Sequence, residues 1–125
     1  MLYIIRGLPG SGKTTVAGKL APVVVEADLF MVDEGGEYKF DPKKLGSAHA
    51  QCQAVTEQLL SHRIAVSVAV ANTFTRRWEY QPYIDMACRY DTPYQIITCV
   101  GDPSWVSIHN VPAATLARMK ERWED

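Results

Sequence analysis

Residues 3–20 read YIIRGLPGSGKTTVAGKL, in which Gly7 and Gly12 bracket four residues and Lys13 and Thr14 follow. This is the pattern G-x-x-x-x-G-K-[ST]. It constrains the fold strongly, because it works only where a strand runs into the loop and a helix opens from it. Both conditions are met. Residues 2–6 (LYIIR) form a short apolar run ending in glycine, and residues 13–21 read as a helix stopped near Pro22. Gly7, Gly10 and Gly12 let the backbone curl until successive N–H groups face inward and make an anion nest, and Leu8, Pro9, Ser11 and Thr15 belong to the same nucleotide-binding segment. The helix adds its positive dipole end. Lys13 would reach the β- and γ-phosphates of ATP or GTP, and the Thr14 hydroxyl would ligate Mg²⁺. The plainer alternative, a glycine-rich turn with an exposed lysine, leaves the agreement of strand, loop and helix unexplained.

The remaining elements continue the alternation. VVVE at 23–26 is a second β-branched run, and Asp41-Pro42 makes a helix start, with Asp as N-cap and Pro at the first helical position. Leu45, Ala48, Cys52, Val55 and Leu59 then trace one apolar helix face to about residue 62. Residues 64–71 (IAVSVAVA) read as a central parallel strand, apolar on both faces. Thr75 can cap a helix through Trp78, Met86 and Tyr90, with Pro82 forcing a kink or restart. Residues 94–100 give a fourth strand, and residues 110–124 a last helix with Leu116, Met119 and Trp123 on one face. The fold expected is α/β and three-layered: a mostly parallel sheet of about four strands, with helices on both faces.

A chain of 125 residues is one domain, residues 1–125, with no linker or repeat. Its net charge of −1 leaves no global field for DNA or an anionic membrane. Cys52, Cys88 and Cys99 are too few and too scattered for a disulfide framework, and fit reduced thiols. No apolar run reaches membrane-span length, and the first strand leaves no room for a leader. The expectation is a cytoplasmic protein without membrane association. His49, His62 and His109 lie apart with no metal-ligand spacing.

Asp28 lies just past the second strand, at the end of the sheet that faces the ligand crevice. It could take the proton from an acceptor hydroxyl, or it could close an Asx-turn. Position alone leaves both open. Lys39, Lys43 and Lys44 with Tyr38 and Phe40 could stack a base and steady an acceptor phosphate, or simply anchor a loop.

RGLPGSGKTT, ADLF, YKFDPKKLGSAHAQC, ANTFTRRWEYQPYIDMA and NVPAATLARMKERWE, in that order, resemble the small P-loop kinase domains related to polynucleotide 5′-kinase. These are AAA-type ATP-binding domains, and this chain looks like a compact version with a shortened lid. The resemblance covers nearly the whole chain and rests most on the middle and late segments. It implies the P-loop NTPase fold, ATP and Mg²⁺, phosphate and metal roles for Lys13 and Thr14, and Asp28 as the base that activates a 5′-hydroxyl. Val111 and Pro112 match the segment bordering the adenine. The acceptor would be a single-stranded nucleic-acid end or a small nucleoside-like hydroxyl.

Two departures stand out. Relatives end the third strand with an aspartate before N-T-N, where this chain has Ala71 followed by Asn72 and Thr73. Asn72 could orient a metal-bound water or contact phosphate but brings no charge. Relatives also carry lid arginines, whereas GDPSWVSIHNVP has neither Lys nor Arg. Arg76 and Arg77, just past the third strand, could substitute. The departures leave two other readings: an ATP-binding module acting through a partner, and a slow NTPase that receives its arginine from another subunit.

Overall fold

A computed structural model describes residues 1–31, 35, 42–100 and 113–125. Strand β1 (Leu2–Gly7) leads through the glycine loop into helix α1 (Lys13–Leu20), and β2 (Val23–Val25) follows. A short 3-10 helix, Ala27–Phe30, carries Asp28. After a second 3-10 turn (Pro42–Lys44) come α2 (Leu45–Ser61), β3 (Val68–Asn72), α3 (Arg77–Arg89), β4 (Tyr94–Cys99) and α4 (Ala113–Arg122). The four strands are all parallel in the order β2-β3-β1-β4.

Side-chain alternation splits the core into two layers. Leu2, Ile4, Val25, Val68 and Val70 point to one face, where Ala48, Cys52 and Leu60 of α2 and Tyr80, Tyr83 and Met86 of α3 cover them. Ile5, Ala69 and Ala71 point to the other and meet Ala17 and Ala21 from α1 and its end. Helices therefore lie on both faces, as expected, and the carboxyl ends of β1, β2 and β3 converge on the glycine loop.

Several boundaries differ from expectation. The apolar run at 64–71 enters the sheet only at Val68, and Ile64 and Val66 are exposed. Residues before Val68 follow a tight helix end. The Ile64 N–H donates to the Leu59 carbonyl and that of Arg63 to Leu60, with Arg63 at φ 48°. The end of α3 repeats this arrangement, Thr92 donating to Ala87 and Asp91 to Cys88, with Asp91 at φ 51°. Neither helix end uses the glycine by which such a turn is recognised. The buried stripe of α2 is Ala48, Cys52, Thr56 and Leu60, while Leu45 and Val55 are exposed. Thr56 can be buried because its hydroxyl donates to the Cys52 carbonyl at 2.8 Å. The helix over Pro82 runs unbroken, since burial of Tyr80, Tyr83, Met86 and Ala87 outweighs one missing N–H. Thr75 lies before its N-cap, Arg76, and donates to the Glu79 carboxylate at 2.7 Å. The start read at Asp41 falls outside the described residues, and α2 proper begins at Leu45.

Arg6 ties the end of the chain to the loop strand. It is 3% exposed, and its guanidinium donates to the carbonyls of Phe74 (3.0 Å), Thr75 (3.3 Å) and Glu124. Its Cζ lies 4.1 Å from the Trp123 ring centroid and 5.1 Å from that of Tyr80. Phe74 holds φ 49°, an uncommon conformation for a bulky residue that costs about 1–2 kcal/mol. Its buried ring packs edge-on against Tyr80 and Tyr83 and offsets that cost. Arg6→Met is expected to lower stability by about 3 kcal/mol, because charge-assisted bonds and a desolvated cation–π contact are lost together. Urea unfolding followed by circular dichroism checks it, and a change below about 1 kcal/mol would contradict this role for Arg6.

Candidate active site

The loop takes its shape from two left-handed residues, Gly10 at φ 82° and Gly12 at φ 85°. Gly12 is the N-cap of α1 and supplies no side-chain cap, so the first N–H groups of the helix have no intrahelical acceptor. Leu8, Pro9 and Gly10 are half-exposed around this opening, and Thr14 and Thr15 are exposed at the helix start. The Ser11 hydroxyl is buried inside the loop with no hydrogen-bond partner among the described residues. Such a hydroxyl and a row of unused amides are what an anion can satisfy.

Gly7 is required for space. A Cβ there would lie 2.3 Å from Ser11 Oγ and 2.8 Å from the Cys99 carbonyl oxygen. The serine can rotate, but the strand carbonyl cannot move without breaking the β1–β4 pairing. Gly7→Ala is therefore expected to distort the loop, cost about 1–3 kcal/mol and abolish nucleotide binding. Thermal unfolding and fluorescent-nucleotide titration check this, and wild-type binding by the variant would contradict it.

Lys13 donates to the Leu8 carbonyl at 3.1 Å, which holds its side chain back across the loop. Burial pushes its ammonium below the usual lysine range, and the carboxylates of Asp28 and Glu26, with the negative form of Cys99, oppose that shift. The segment after β2 thus brings negative charge to the side of the loop that carries Lys13 and Thr14. Asp28 is half-buried on its 3-10 helix, which Asn72 anchors: Asn72 Oδ1 accepts the Ala27 N–H at 2.8 Å.

Asn72, read from sequence as a phosphate or water contact, is 7% exposed and spends its other amide end on Cys52 Sγ at 3.6 Å. In this conformation it positions the Asp28 segment. Arg77 is also committed: its guanidinium donates to the Asp125 carbonyl and its N–H to Glu124 Oε1. Arg76 is exposed; its carbonyl accepts the Glu79 N–H at 3.1 Å, and its guanidinium makes no hydrogen bond to any described residue. Lys39, Val111 and Pro112 lie outside the described residues, as do Tyr38, Phe40 and Trp105.

Sequence reasoning missed Glu26. Its Oε1 accepts the Thr14 hydroxyl proton at 2.7 Å, bringing a carboxylate to the residue read as the metal ligand. No sequence pattern marked it, because its place follows from strand register: Val25 pairs with Val70, and the next step along both strands sets Glu26 beside Ala71. Hard oxygen donors from Thr14 and Glu26 suit Mg²⁺. Among the described residues no cluster of three His, Cys, Asp or Glu could cage an ion, so Mg²⁺ would be shared with nucleotide phosphates.

A small void lined by Met1, Leu60, Val68 and Thr92 lies at the amino ends of the strands, away from the loop. Ligands of parallel sheets bind at the carboxyl ends, so this void is a packing feature. No described helix is long and apolar enough to cross a membrane.

The parallel sheet, the nest and its lysine together define a P-loop kinase-like domain. Residues 2–125 match a family model described as an AAA domain, and the chain belongs to that family. NEDD4-binding protein 2 of Homo sapiens is 28% identical over 139 residues, which cover 99% of this chain and 8% of that protein. The chain thus spans less than a tenth of that relative's length. Among solved structures, a gluconokinase from Sinorhizobium meliloti 1021 superimposes with TM-score 0.63 at 20% identity, covering 98% of this chain and 74% of that one. A chain of the Pnkp1/Rnl/Hen1 RNA repair complex does so with TM-score 0.62 at 21% identity, covering 97% of this chain and 36% of that one. At such identities the structural likenesses establish the fold alone.

Proposed function

We propose that the protein is an ATP-dependent kinase that transfers the γ-phosphate to a hydroxyl, with the 5′-hydroxyl of a nucleic acid or nucleoside-like molecule as acceptor. The observation that carries this reading is the placement of the 3-10 helix bearing Asp28, pinned by the Ala27 N–H to Asn72 Oδ1 bond at 2.8 Å, at the same carboxyl end of the parallel sheet as the glycine loop and Lys13. A cation for the phosphates and a carboxylate for the acceptor proton stand together at the carboxyl end of the sheet.

In this reading the N–H groups of Gly10, Gly12, Lys13, Thr14 and Thr15 and the buried Ser11 hydroxyl bind the phosphate oxygens. Lys13 leaves the Leu8 carbonyl for the β- and γ-phosphates. Bound Mg²⁺ would neutralise charge on those oxygens, held on the protein side by Thr14. Asp28 accepts the acceptor hydroxyl's proton as its oxygen forms the new bond to the γ-phosphorus. The bond from that phosphorus to the β–γ bridging oxygen breaks, and ADP departs. Of the two arginines just past β3, Arg76 is the one whose guanidinium is not tied to the residues at 124–125 and would meet the transferring group, while the resemblance assigns Val111 and Pro112 to the adenine and Lys39 would contact the acceptor phosphate.

A second reading, an ATP-binding module without efficient transfer, is favoured by one feature. Ala71 is buried in an apolar cluster at the place where the resembling domains carry a metal-facing aspartate. Incubation with γ-labelled ATP, Mg²⁺ and a panel of 5′-hydroxyl DNA, 5′-hydroxyl RNA, nucleosides and water separates the two. Label on a hydroxyl acceptor supports the kinase and names its substrate class. ATP bound but returned intact with every acceptor supports the module.

A further inference from the structure

Ala71, one residue before the end of β3, stands where the resembling domains carry a carboxylate, yet the site has not lost its negative charge. β2 and β3 are parallel, with Val23, Val24 and Val25 opposite Val68, Ala69 and Val70. Glu26 continues β2 in extended conformation (φ −135°, ψ 142°) and so comes to the position beside Ala71. Neighbours across parallel strands point to the same face. Ala69 and Ala71 face α1, the helix that opens with Lys13 and Thr14. The Glu26 side chain takes that face as well, since its carboxylate reaches Thr14 Oγ1 at 2.7 Å.

The direction of this hydrogen bond matters. A threonine hydroxyl has one proton to donate and two lone pairs to offer. With the proton given to Glu26, both lone pairs of Thr14 Oγ1 are left for an electrophile on the phosphate side. The carboxylate, which also bears on the neighbouring Lys13, has a second oxygen for a metal-bound water.

We infer that Glu26 does the work of the absent β3 carboxylate: it orients Thr14 and supplies the negative charge that draws Mg²⁺ to the nucleotide, one strand across from Ala71. This inference rests on the nucleotide reading of the loop and adds a metal-positioning residue to it.

The test measures Mn²⁺ uptake, as a paramagnetic stand-in for Mg²⁺, into the ADP complex by electron paramagnetic resonance, with metal-free ADP binding measured by calorimetry. Glu26→Gln keeps an oxygen that can accept from Thr14 but removes the charge. It is expected to weaken Mn²⁺ binding in the ADP complex by about 10–100-fold, with metal-free ADP affinity unchanged. Adding Ala71→Asp to that variant is expected to restore most of the Mn²⁺ affinity, by returning a carboxylate to the same face. Should Glu26→Gln fail to fold, Glu26→Asp, shorter by one methylene, is expected to show weakened Mn²⁺ uptake.

Wild-type Mn²⁺ affinity in Glu26→Gln, or in Glu26→Asp where Glu26→Gln does not fold, overturns the inference. So does an equal loss of ADP affinity with and without metal, which marks a purely structural role, and so does failure of Ala71→Asp to restore uptake. In all three outcomes the wild-type ADP complex still takes up Mn²⁺, and the nucleotide reading survives. A wild-type chain that binds no ADP under either condition overturns that reading, and the inference with it.

Discussion

Asp28→Asn is expected to slow phosphoryl transfer by about 10²–10⁴-fold while leaving ATP affinity near that of the wild type. Asparagine keeps the size of the side chain, and the segment that bears it stays pinned through Ala27 and Asn72. What is lost is the ability to take a proton from the attacking hydroxyl. The reading requires kcat to fall with little change in the ATP dissociation constant, because the deletion acts on the acceptor side. Single-turnover transfer at saturating ATP, beside equilibrium ATP binding, measures both. Undiminished transfer by the variant would remove Asp28 from the mechanism and favour another base or none.

Lys13→Ala has the second large effect and acts on the other side of the reaction. The ammonium sits in a partly desolvated site, where burial already works against its charge and the Asp28 and Glu26 carboxylates sustain it. A cation there interacts with phosphate far more strongly than it would in bulk water. Its removal also leaves two acidic residues facing an anionic ligand. Loss of transfer by at least about 10²-fold is expected, accompanied by weakened ATP binding. The contrast between the variants is itself diagnostic, since one spares nucleotide affinity and the other does not. ATP binding unaffected by Lys13→Ala would mean that the nest is not the nucleotide site.

The glycine loop made most of the architecture readable before any coordinates. Its sequence demands a strand before it and a helix after it, and the later β-branched runs follow the same alternation. Helix ends were harder, because Arg63 and Asp91 adopt left-handed turns usually marked by glycine. Arg6 read as the polar end of an apolar strand. Its role emerges only when residues 74, 75, 80, 123 and 124 close around it, contacts that no local pattern encodes.

The candidate site divides along the same line. Lys13, Thr14 and Asp28 could be named as candidates because each occupies a fixed offset from a strand end. Asn72 was named for its chemistry, but its partners lie at Ala27 and Cys52 across the fold, and they turn it into a support. Glu26 was invisible because an acidic residue after a strand is ordinarily solvated. Its meaning depends on register with Ala71 and on the distance to Thr14, both tertiary facts.

The measurement that tests the kinase reading most directly is ³¹P nuclear magnetic resonance of ATP, Mg²⁺ and a 5′-hydroxyl oligonucleotide with the purified chain. The account predicts a growing phosphomonoester resonance on the oligonucleotide, in step with conversion of ATP to ADP. Inorganic phosphate appearing in place of the monoester, or ATP that stays bound and unchanged, would contradict it.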